Sequence, residues 1–272
     1  MIRNIGKYMQ YVCFSEGEKM EKIIAITNQK GGVGKTTTAV NLSACLAELG
    51  KRVLLIDTDP QGNATSGFSI NKVEQENTIY ELLLQEVSIG ECIIRDVMPN
   101  ISVIPANVNL AAAEIELIGI ENKEFILSKE IEYIKDDFDY VIIDCPPALT
   151  TLTLNALTTA NSVIVPIQCE YLALEGLSDL IQTVNLVKER LNPALDLEGI
   201  VFTMYDSRTL LSAEVVENVT SHFPDKVYQT KIPRNVRLSE APSFGQPITV
   251  YDSRSTGADA YRRLAQEVAG RK

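Results

Sequence analysis

The chain has 272 residues, with 36 acidic against 25 basic side chains and a net charge of −11. That length allows one large domain with a sizeable core, and the acidic balance argues against general affinity for DNA. Five dispersed cysteines without a CxxC pair and a single histidine, His222, argue against a zinc site, a disulfide framework and a histidine-based catalytic triad. No apolar run approaches the ~18 to 20 residues that span a bilayer.

The N-terminal residues lack an apolar core of the signal-peptide type, so export is not expected. Met20 directly precedes the first predicted strand. We expect residues 1–19 to be a disordered extension, or upstream sequence included by an early start codon. Residues 20–272 are expected to form one domain, because they contain no repeat, low-complexity tract or Pro/Gly linker.

A glycine-rich stretch follows the first predicted strand. Residues 22–38 read KIIAITNQKGGVGKTTT, an apolar strand, a loop with three glycines and the start of a helix. Such a loop directs backbone N–H groups and a positive helix end into one concavity, which is a site for phosphate. Lys35 would place its charge on the β/γ-phosphates, and the Thr36 hydroxyl would be a ligand for Mg²⁺. The strand–loop–helix context disfavours the alternative, a glycine turn with two solvated lysines.

This loop departs from the standard phosphate-loop pattern, G-x-x-x-x-G-K-[ST]. Counting back from Gly34, the first glycine of the pattern would fall at position 29, which is Gln29. The loop instead contains a second lysine, Lys30. We expect the loop geometry to direct Lys30 away from the nucleotide of its own chain.

Apolar runs along the rest of the chain predict strands that alternate with helices. The predicted strands are residues 23–26, 53–57, 101–105, 140–144, 162–167, 199–203 and 226–228. The predicted helices are residues 37–49, 123–134, 174–190, 211–222 and 257–268. Short βαβ units with continuous apolar strands indicate an α/β fold, a single doubly wound, mostly parallel β-sheet flanked by helices on both faces.

Carboxylates close two of these strands, at the edge where an open parallel sheet collects its chemistry. Asp144 ends one strand and would hold Mg²⁺ through water. Alternatively, Asp144 would be a loop residue that only caps a turn. Asp59 follows the second strand, and it would orient or activate the water that attacks the phosphate in phosphoryl transfer. Asp57 would lie in the outer shell of the metal or hydrogen-bond to the loop.

Four separated blocks, KGGVGKTTT, DTDPQGNATSGF, VIIDCPP and IPRNVRLSEAPSFGQPI, resemble the ParA/Soj partition ATPases. These belong to the deviant Walker A group of P-loop NTPases, with MinD and the nitrogenase iron protein. The resemblance, which runs from about residue 22 to about residue 269, implies ATP hydrolysis, with ATP and Mg²⁺ as cofactors. It also implies an ATP-dependent homodimer in which Lys30 crosses to the partner's nucleotide, with Gly31 and Gly32 at the interface.

The resemblance assigns a role to individual side chains. Lys30, Lys35 and Asp59 would be catalytic. Thr36, Asp59 and Asp144 would lie at the metal. Nucleotide contacts would come from two segments, with the residues Lys30, Gly31, Gly32, Val33, Gly34, Lys35, Thr36, Thr37, Pro233 and Asn235.

Basic charge is concentrated in the C-terminal third. Residues 185–272 hold 12 basic against 11 acidic side chains, whereas residues 1–184 hold 13 against 25. By resemblance, Arg208 and Arg237 would contact the phosphates of double-stranded DNA without sequence preference. The alternative from the residues alone is that both arginines are solvated or paired with Asp206 and Glu240.

The resemblance therefore implies a cytoplasmic, nucleoid-associated protein that segregates chromosome or plasmid origins, with a ParB-like partner that stimulates hydrolysis and release from DNA. The alternative is a MinD-like membrane-associated switch, but the tail DAYRRLAQEVAGRK has few bulky apolar residues, so no membrane partner is expected. An iron–sulfur reductase would have only Cys145 and Cys169 as cluster ligands, without glycine-rich cluster loops. A metabolic P-loop enzyme has no support from an acceptor-pocket motif.

Overall fold

The computed structural model describes residues 22–171 and 173–271, and within them seven strands form one sheet. The strands are β1 (Lys22–Ile26), β2 (Val53–Asp57), β3 (Ile94–Met98), β4 (Ile101–Ile104), β5 (Tyr140–Asp144), β6 (Ser162–Gln168) and β7 (Asp196–Thr203). Their order across the sheet is β3-β4-β2-β5-β1-β6-β7, and only the β3–β4 pair is antiparallel. The expectation for residues 1–19 falls outside the described residues.

Helices connect the strands and form the C-terminal end of the described chain. They are α1 (Lys35–Glu48), α2 (Asn63–Ser66), α3 (Ile79–Leu83), α4 (Ile89–Cys92), α5 (Leu110–Glu116), α6 (Ile126–Ile131), α7 (Thr151–Thr159), α8 (Ala173–Arg190), α9 (Leu210–His222), α10 (Val236–Glu240), α11 (Ile248–Tyr251) and α12 (Thr256–Gly270). Across residues 22–171 and 173–271, none of these helices has the length and apolar character needed to cross a membrane.

Both faces of the sheet are buried. Successive residues of a strand point to opposite faces, so Ala25 and Ile56 pack with α3 to α9, whereas Ile24 and Leu55 pack with α1, α2 and α10 to α12. This double cover explains why the central strands are continuous apolar runs rather than alternating ones. The predicted doubly wound, mostly parallel sheet is confirmed.

The predicted strand at residues 226–228 is wrong. Val227 makes only an isolated bridge with Ile200. The Tyr228 N–H still donates to the Ile200 carbonyl, but those of Gln229 and Thr230 donate to the Glu267 carboxylate at 2.9 and 2.8 Å. A side chain of α12 therefore takes the hydrogen bonds that a continuing strand would have made.

Two other segments differ from the sequence-based expectation. Strand β3 was not predicted, because its sequence IRDVM has exposed charged residues and no apolar run. The helix predicted at residues 123–134 is a 3₁₀ turn followed by the six-residue α6. Strand β3 lies at the edge of the sheet, where one side of the strand needs no partner, so a continuous apolar run is not required.

Candidate nucleotide-binding site

The phosphate loop (residues 27–34) runs from β1 to α1 through two left-handed glycines. Gly32 and Gly34 have φ of +75° and +86°, which side chains with a Cβ rarely adopt. A Cβ on Gly34 would lie 3.6 Å from Thr203 Cγ2 at the end of β7. The Thr203 hydroxyl also donates to the Val33 carbonyl at 2.8 Å, so β7 holds the loop from outside. Sequence reasoning missed Thr203, because its contact is made across 170 residues.

Helix α1 begins directly after this loop. Its first turn contains no acidic residue, and Gly34 at its N-cap has no side chain to occupy the free N–H groups. The positive end of a 14-residue helix therefore faces the loop. This arrangement favours an anion such as phosphate.

Lys35 lies over the phosphate loop. Its Nζ atom donates to the Lys30 carbonyl at 3.0 Å, and the residue is only 7 % exposed. Burial lowers the pKa of Lys35, while the Asp144 and Asp59 carboxylates nearby act to raise it. The ammonium thus lies between the loop backbone and the acids at the strand ends.

Lys30 is held in a different way. Its ammonium forms an ion pair with Glu170, in the loop that follows β6, and its backbone N–H donates to Asn28 Oδ1 at 2.9 Å. The two lysines of the loop therefore have separate partners. Glu170 was not among the predicted residues, although it follows a strand at the same edge of the sheet as Asp57 and Asp144.

The strand-end acids lie side by side. Asp57 and Asp144 are register partners on β2 and β5, and both are fully buried. Asp57 accepts hydrogen bonds from the Thr65 N–H and hydroxyl, both at 2.8 Å, and from the Asp59 N–H at 3.1 Å. Asp57 is therefore bonded within its own loop and fixes the turn that carries Asp59.

Asp144 is the unsatisfied member of this pair. Neither of its buried oxygens has a hydrogen-bond partner of ordinary geometry among the described residues. Burial and the adjacent Asp57 charge raise its pKa well above the usual range, and the nearby Thr36 hydroxyl and Lys35 ammonium oppose this shift. Burial also raises the pKa of Asp57 to about 6, against the hydrogen bonds from Thr65.

These features fit Mg²⁺. A buried carboxylate without a partner is costly, and a hard cation with its waters would satisfy it. Thr36, at the start of α1, would supply a second oxygen. The described residues contain no cluster of three or more His, Cys, Asp or Glu side chains suited to a metal. Mg²⁺ in nucleotide sites needs no such cluster, since phosphate and water oxygens supply most of its ligands.

The segment with Pro233 and Asn235 lies beside the end of β7. Backbone hydrogen bonds join residues 232–234 to Phe202 and Tyr205. Asn235 begins α10: its Oδ1 accepts from the Leu238 N–H at 3.3 Å, and its Nδ2 donates to Thr256 Oγ1 at 2.8 Å. Because Thr203 of the same strand holds the phosphate loop, β7 links the two segments that the sequence assigned to the nucleotide.

The two predicted DNA-contact arginines are both in exposed ion pairs. Arg208, with its side chain 85 % exposed, donates to both oxygens of Asp206 at 2.9 and 2.7 Å. Arg237 donates to Glu240 at 2.9 Å and lies 3.4 Å from Asp252. The alternative drawn from the residues alone, pairing with Asp206 and Glu240, thus describes the chain without DNA, and contact with DNA stays a prediction.

The loop geometry, with a partnerless carboxylate facing a helix start, defines a P-loop NTPase. In agreement, residues 21–197 match the AAA domain family. The chain is 57% identical over 250 residues to the sporulation initiation inhibitor protein Soj of Bacillus subtilis, covering 92% of this chain and 99% of that protein. It is 48% identical over 253 residues to the chromosome partitioning protein ParA of Caulobacter vibrioides, covering 92% and 95%. The chain belongs to the ParA/Soj family of chromosome-partitioning ATPases.

Solved structures agree with this assignment of the fold. Cobyrinic acid a,c-diamide synthase from Mycobacterium smegmatis, with bound ADP and magnesium, is 39% identical and superposes with a TM-score of 0.80. The match covers 92% of this chain and 94% of that one. Another structure of that protein contains an ATP analogue and magnesium. The P-loop fold predicted from the sequence is confirmed.

Proposed function

We propose that this chain is an ATP-dependent DNA-partitioning protein of the cytoplasm and nucleoid. ATP binding would drive two copies into a sandwich dimer, which binds nucleoid DNA without sequence preference. Hydrolysis, stimulated by a ParB-like partner, would release the dimer and so segregate chromosome or plasmid origins. The observation that carries the proposal is the similarity, over nearly the whole chain, to proteins named for chromosome partitioning.

The nucleotide would lie along the phosphate loop. The loop N–H groups and the start of α1 would cradle the phosphates, and Lys35 would neutralise the β/γ-phosphates. Thr36 and Asp144 would hold Mg²⁺, which neutralises phosphate charge when bound. Asp59, on a turn fixed by Asp57, would orient the attacking water. Burial of Lys35 and Asp144 supports these roles, because it excludes the solvent that would screen both charges.

Assembly would move Lys30 from Glu170 to the partner's nucleotide. Both side chains of this ion pair are about half exposed, at 50% and 41%. Ion pairs this accessible contribute about 1 kcal/mol or less, so a triphosphate could displace Glu170 at small cost. Hydrolysis would then depend on dimerisation, since Lys30 reaches the reacting phosphates only across the interface.

DNA binding would require Arg208 and Arg237 to exchange their carboxylate partners for phosphates. Such contacts depend on charge alone, so they give sequence-independent and salt-sensitive binding. The local carboxylates would suppress DNA binding by a single subunit, and the paired surfaces of a dimer would add the contacts needed to overcome them.

A binding experiment with non-specific duplex DNA tests the proposal. Binding would be followed by gel shift with ATP, with ADP and without nucleotide, for the wild type and for Lys30→Ala, Arg237→Ala and Arg95→Ala. Arg95 is a matched control, because it also forms an exposed ion pair, with Asp137. Arg95 lies on β3, at the opposite edge of the sheet from β7.

We expect ATP-dependent, salt-sensitive binding by the wild type and Arg95→Ala, lost in Lys30→Ala and weakened in Arg237→Ala, which lacks one phosphate contact. Arg237→Ala should still dimerise, whereas Lys30→Ala should not. Absence of DNA binding at low salt with ATP would contradict the proposal. Sedimentation with anionic vesicles and ATP would then test the MinD-like alternative.

A further inference from the structure

Helix α12 contacts both ends of the segment 229–235. Near the end of the helix, Glu267 accepts the backbone N–H groups of Gln229 and Thr230 at 2.9 and 2.8 Å. At its first residue, Thr256 Oγ1 accepts from Asn235 Nδ2 at 2.8 Å. The two contacts come from the same side of one 15-residue helix and bracket the segment.

The same helix packs on the helix that follows the phosphate loop. Tyr261 is 1% exposed, and its hydroxyl lies 3.2 Å from the Thr38 hydroxyl of α1. Thr38 is four residues after Gly34, whose carbonyl accepts its N–H at 2.9 Å. Helix α12 therefore connects the phosphate end of the site with the segment beside β7.

The helix holds the two ends of this segment, whereas backbone bonds to Phe202 and Tyr205 hold its middle. The N–H groups of Gln229 and Thr230 bond to the Glu267 carboxylate where a strand ladder would otherwise have held them. A carboxylate that accepts two backbone N–H groups makes charge-assisted bonds, which are about twice as strong as neutral ones. Glu267 thus replaces a strand partner at the beginning of the segment.

Thr256 acts on the Asn235 amide at the other end. That planar group is fixed by two bonds, Oδ1 with the Leu238 N–H and Nδ2 with the Thr256 hydroxyl. An amide nitrogen carries two hydrogens, so the second N–H is left with a defined direction. A fixed donor is what a site needs to read the hydrogen-bonding edge of a base.

We propose that Glu267 and Thr256 are positioning residues for recognition of a purine base. The inference rests on the proposed function, in which Pro233 and Asn235 contact the adenine of ATP. Their bonds are to Gln229, Thr230 and Asn235 and not to the phosphate loop, so their loss should reduce discrimination between bases without weakening phosphate binding. The ligand class is the base of a purine nucleoside triphosphate.

Competition against a fluorescent ATP analogue tests this role, with ATP, GTP and inorganic tripolyphosphate as Mg²⁺ salts. The variants are Glu267→Gln, Thr256→Val and a control, Asp259→Asn. Asp259 is an exposed carboxylate on the same helix whose nearest ion-pair partner, Arg262, is 3.7 Å away. Thr256→Val keeps the shape of the side chain and serves as the second test if Glu267→Gln does not fold.

We expect the wild type and Asp259→Asn to prefer ATP over GTP. In Glu267→Gln and in Thr256→Val this preference should fall about tenfold, as for the loss of one or two hydrogen bonds, with tripolyphosphate affinity unchanged. The inference would be overturned if the preference for ATP over GTP stayed at the wild-type value, or if the affinities for ATP, GTP and tripolyphosphate fell by the same factor. Glu267 and Thr256 would then have only a structural role. If the wild type binds ATP no better than tripolyphosphate, the base contact in the proposed function fails, and this inference with it.

Discussion

The nucleotide edge, with Lys35 and Asp144, differs from the arginine surface, a name for the exposed arginines Arg208 and Arg237. The difference is whether the charged side chains already have partners within the chain. At the nucleotide edge, Lys35 and Asp144 are buried, and Asp144 has no hydrogen-bond partner among the described residues. On the arginine surface, Arg208 and Arg237 are exposed and each is paired with a carboxylate of its own neighbourhood. The acid at the nucleotide edge thus has no protein partner, whereas each arginine already has a protein counter-charge.

This difference suggests an order of events. A buried site with an unsatisfied carboxylate should gain stability when it binds a cation and phosphates. An exposed arginine that is already paired with a carboxylate gains little binding free energy from one phosphate, because it exchanges one charged partner for another. Nucleotide binding should therefore come first, and DNA binding should follow from assembly.

Asp144→Asn should give the largest effect at the nucleotide edge. Without the carboxylate we expect the Mg²⁺-dependent gain in ATP affinity to fall on the order of 10- to 100-fold, as for the loss of groups that orient a metal's ligands. The midpoint of thermal unfolding without metal should stay equal or rise, because a neutral amide replaces a buried carboxyl group whose ionisation is costly beside Asp57. Calorimetry and thermal unfolding measure the two quantities, and a lower midpoint would show that Asp144 has a structural partner.

The arginine surface should respond through salt dependence. Removal of one arginine that binds a DNA phosphate should reduce the slope of log K against log salt by about one. We expect this change for Arg208→Ala and for Arg237→Ala, and no change for Arg95→Ala, in titrations of the ATP-bound protein at several salt concentrations. An unchanged slope in both variants would remove these arginines from the interface.

The free energy of unfolding should depend on pH through the buried acids of the nucleotide edge. Burial raises the pKa of Asp57 to about 6, so the folded chain holds this proton more tightly than the unfolded chain does. The resulting stabilisation is present below about pH 4 and is lost as pH rises through about 6. The raised pKa of Asp144 extends the loss to higher pH. Unfolding of metal-free wild type and Asp57→Asn by urea at pH 4 to 7 measures this, and identical pH profiles would contradict it.

Glu170→Gln should have the smallest effect, because it changes an exposed ion pair. Removal of this charge releases Lys30, so the ATP-dependent dimer should form at a concentration about threefold lower than in the wild type. Sedimentation velocity at graded protein concentration gives this value. The control is Asp137→Asn, which removes the carboxylate of the Arg95 pair and should leave dimerisation unchanged. Weaker assembly in Glu170→Gln would mean that Glu170 belongs to the interface itself.

The sequence predicted well what depends on neighbours along the chain. The phosphate loop, the buried strands and the strand-end acids are local patterns, and even the Arg208–Asp206 and Arg237–Glu240 pairs are separated by two and three residues. Partners at long sequence separation were missed. Glu170 reaches Lys30 across 140 residues, and Glu267 accepts the N–H groups of Gln229 and Thr230 across 38 and 37 residues, just after the stretch predicted as a strand. Such partners follow from tertiary packing, which no local period encodes.

The most direct test is sedimentation velocity of the protein with a short fluorescent duplex, in ATP–Mg²⁺ and in ADP–Mg²⁺. We predict a monomer that leaves the duplex free in ADP, and a dimer that co-sediments with the duplex in ATP. The Lys30→Ala variant should remain a monomer with free duplex in both nucleotides. Equal binding of the duplex in ADP and ATP, or a chain that stays monomeric with ATP, would contradict a nucleotide-controlled switch between assembly and release.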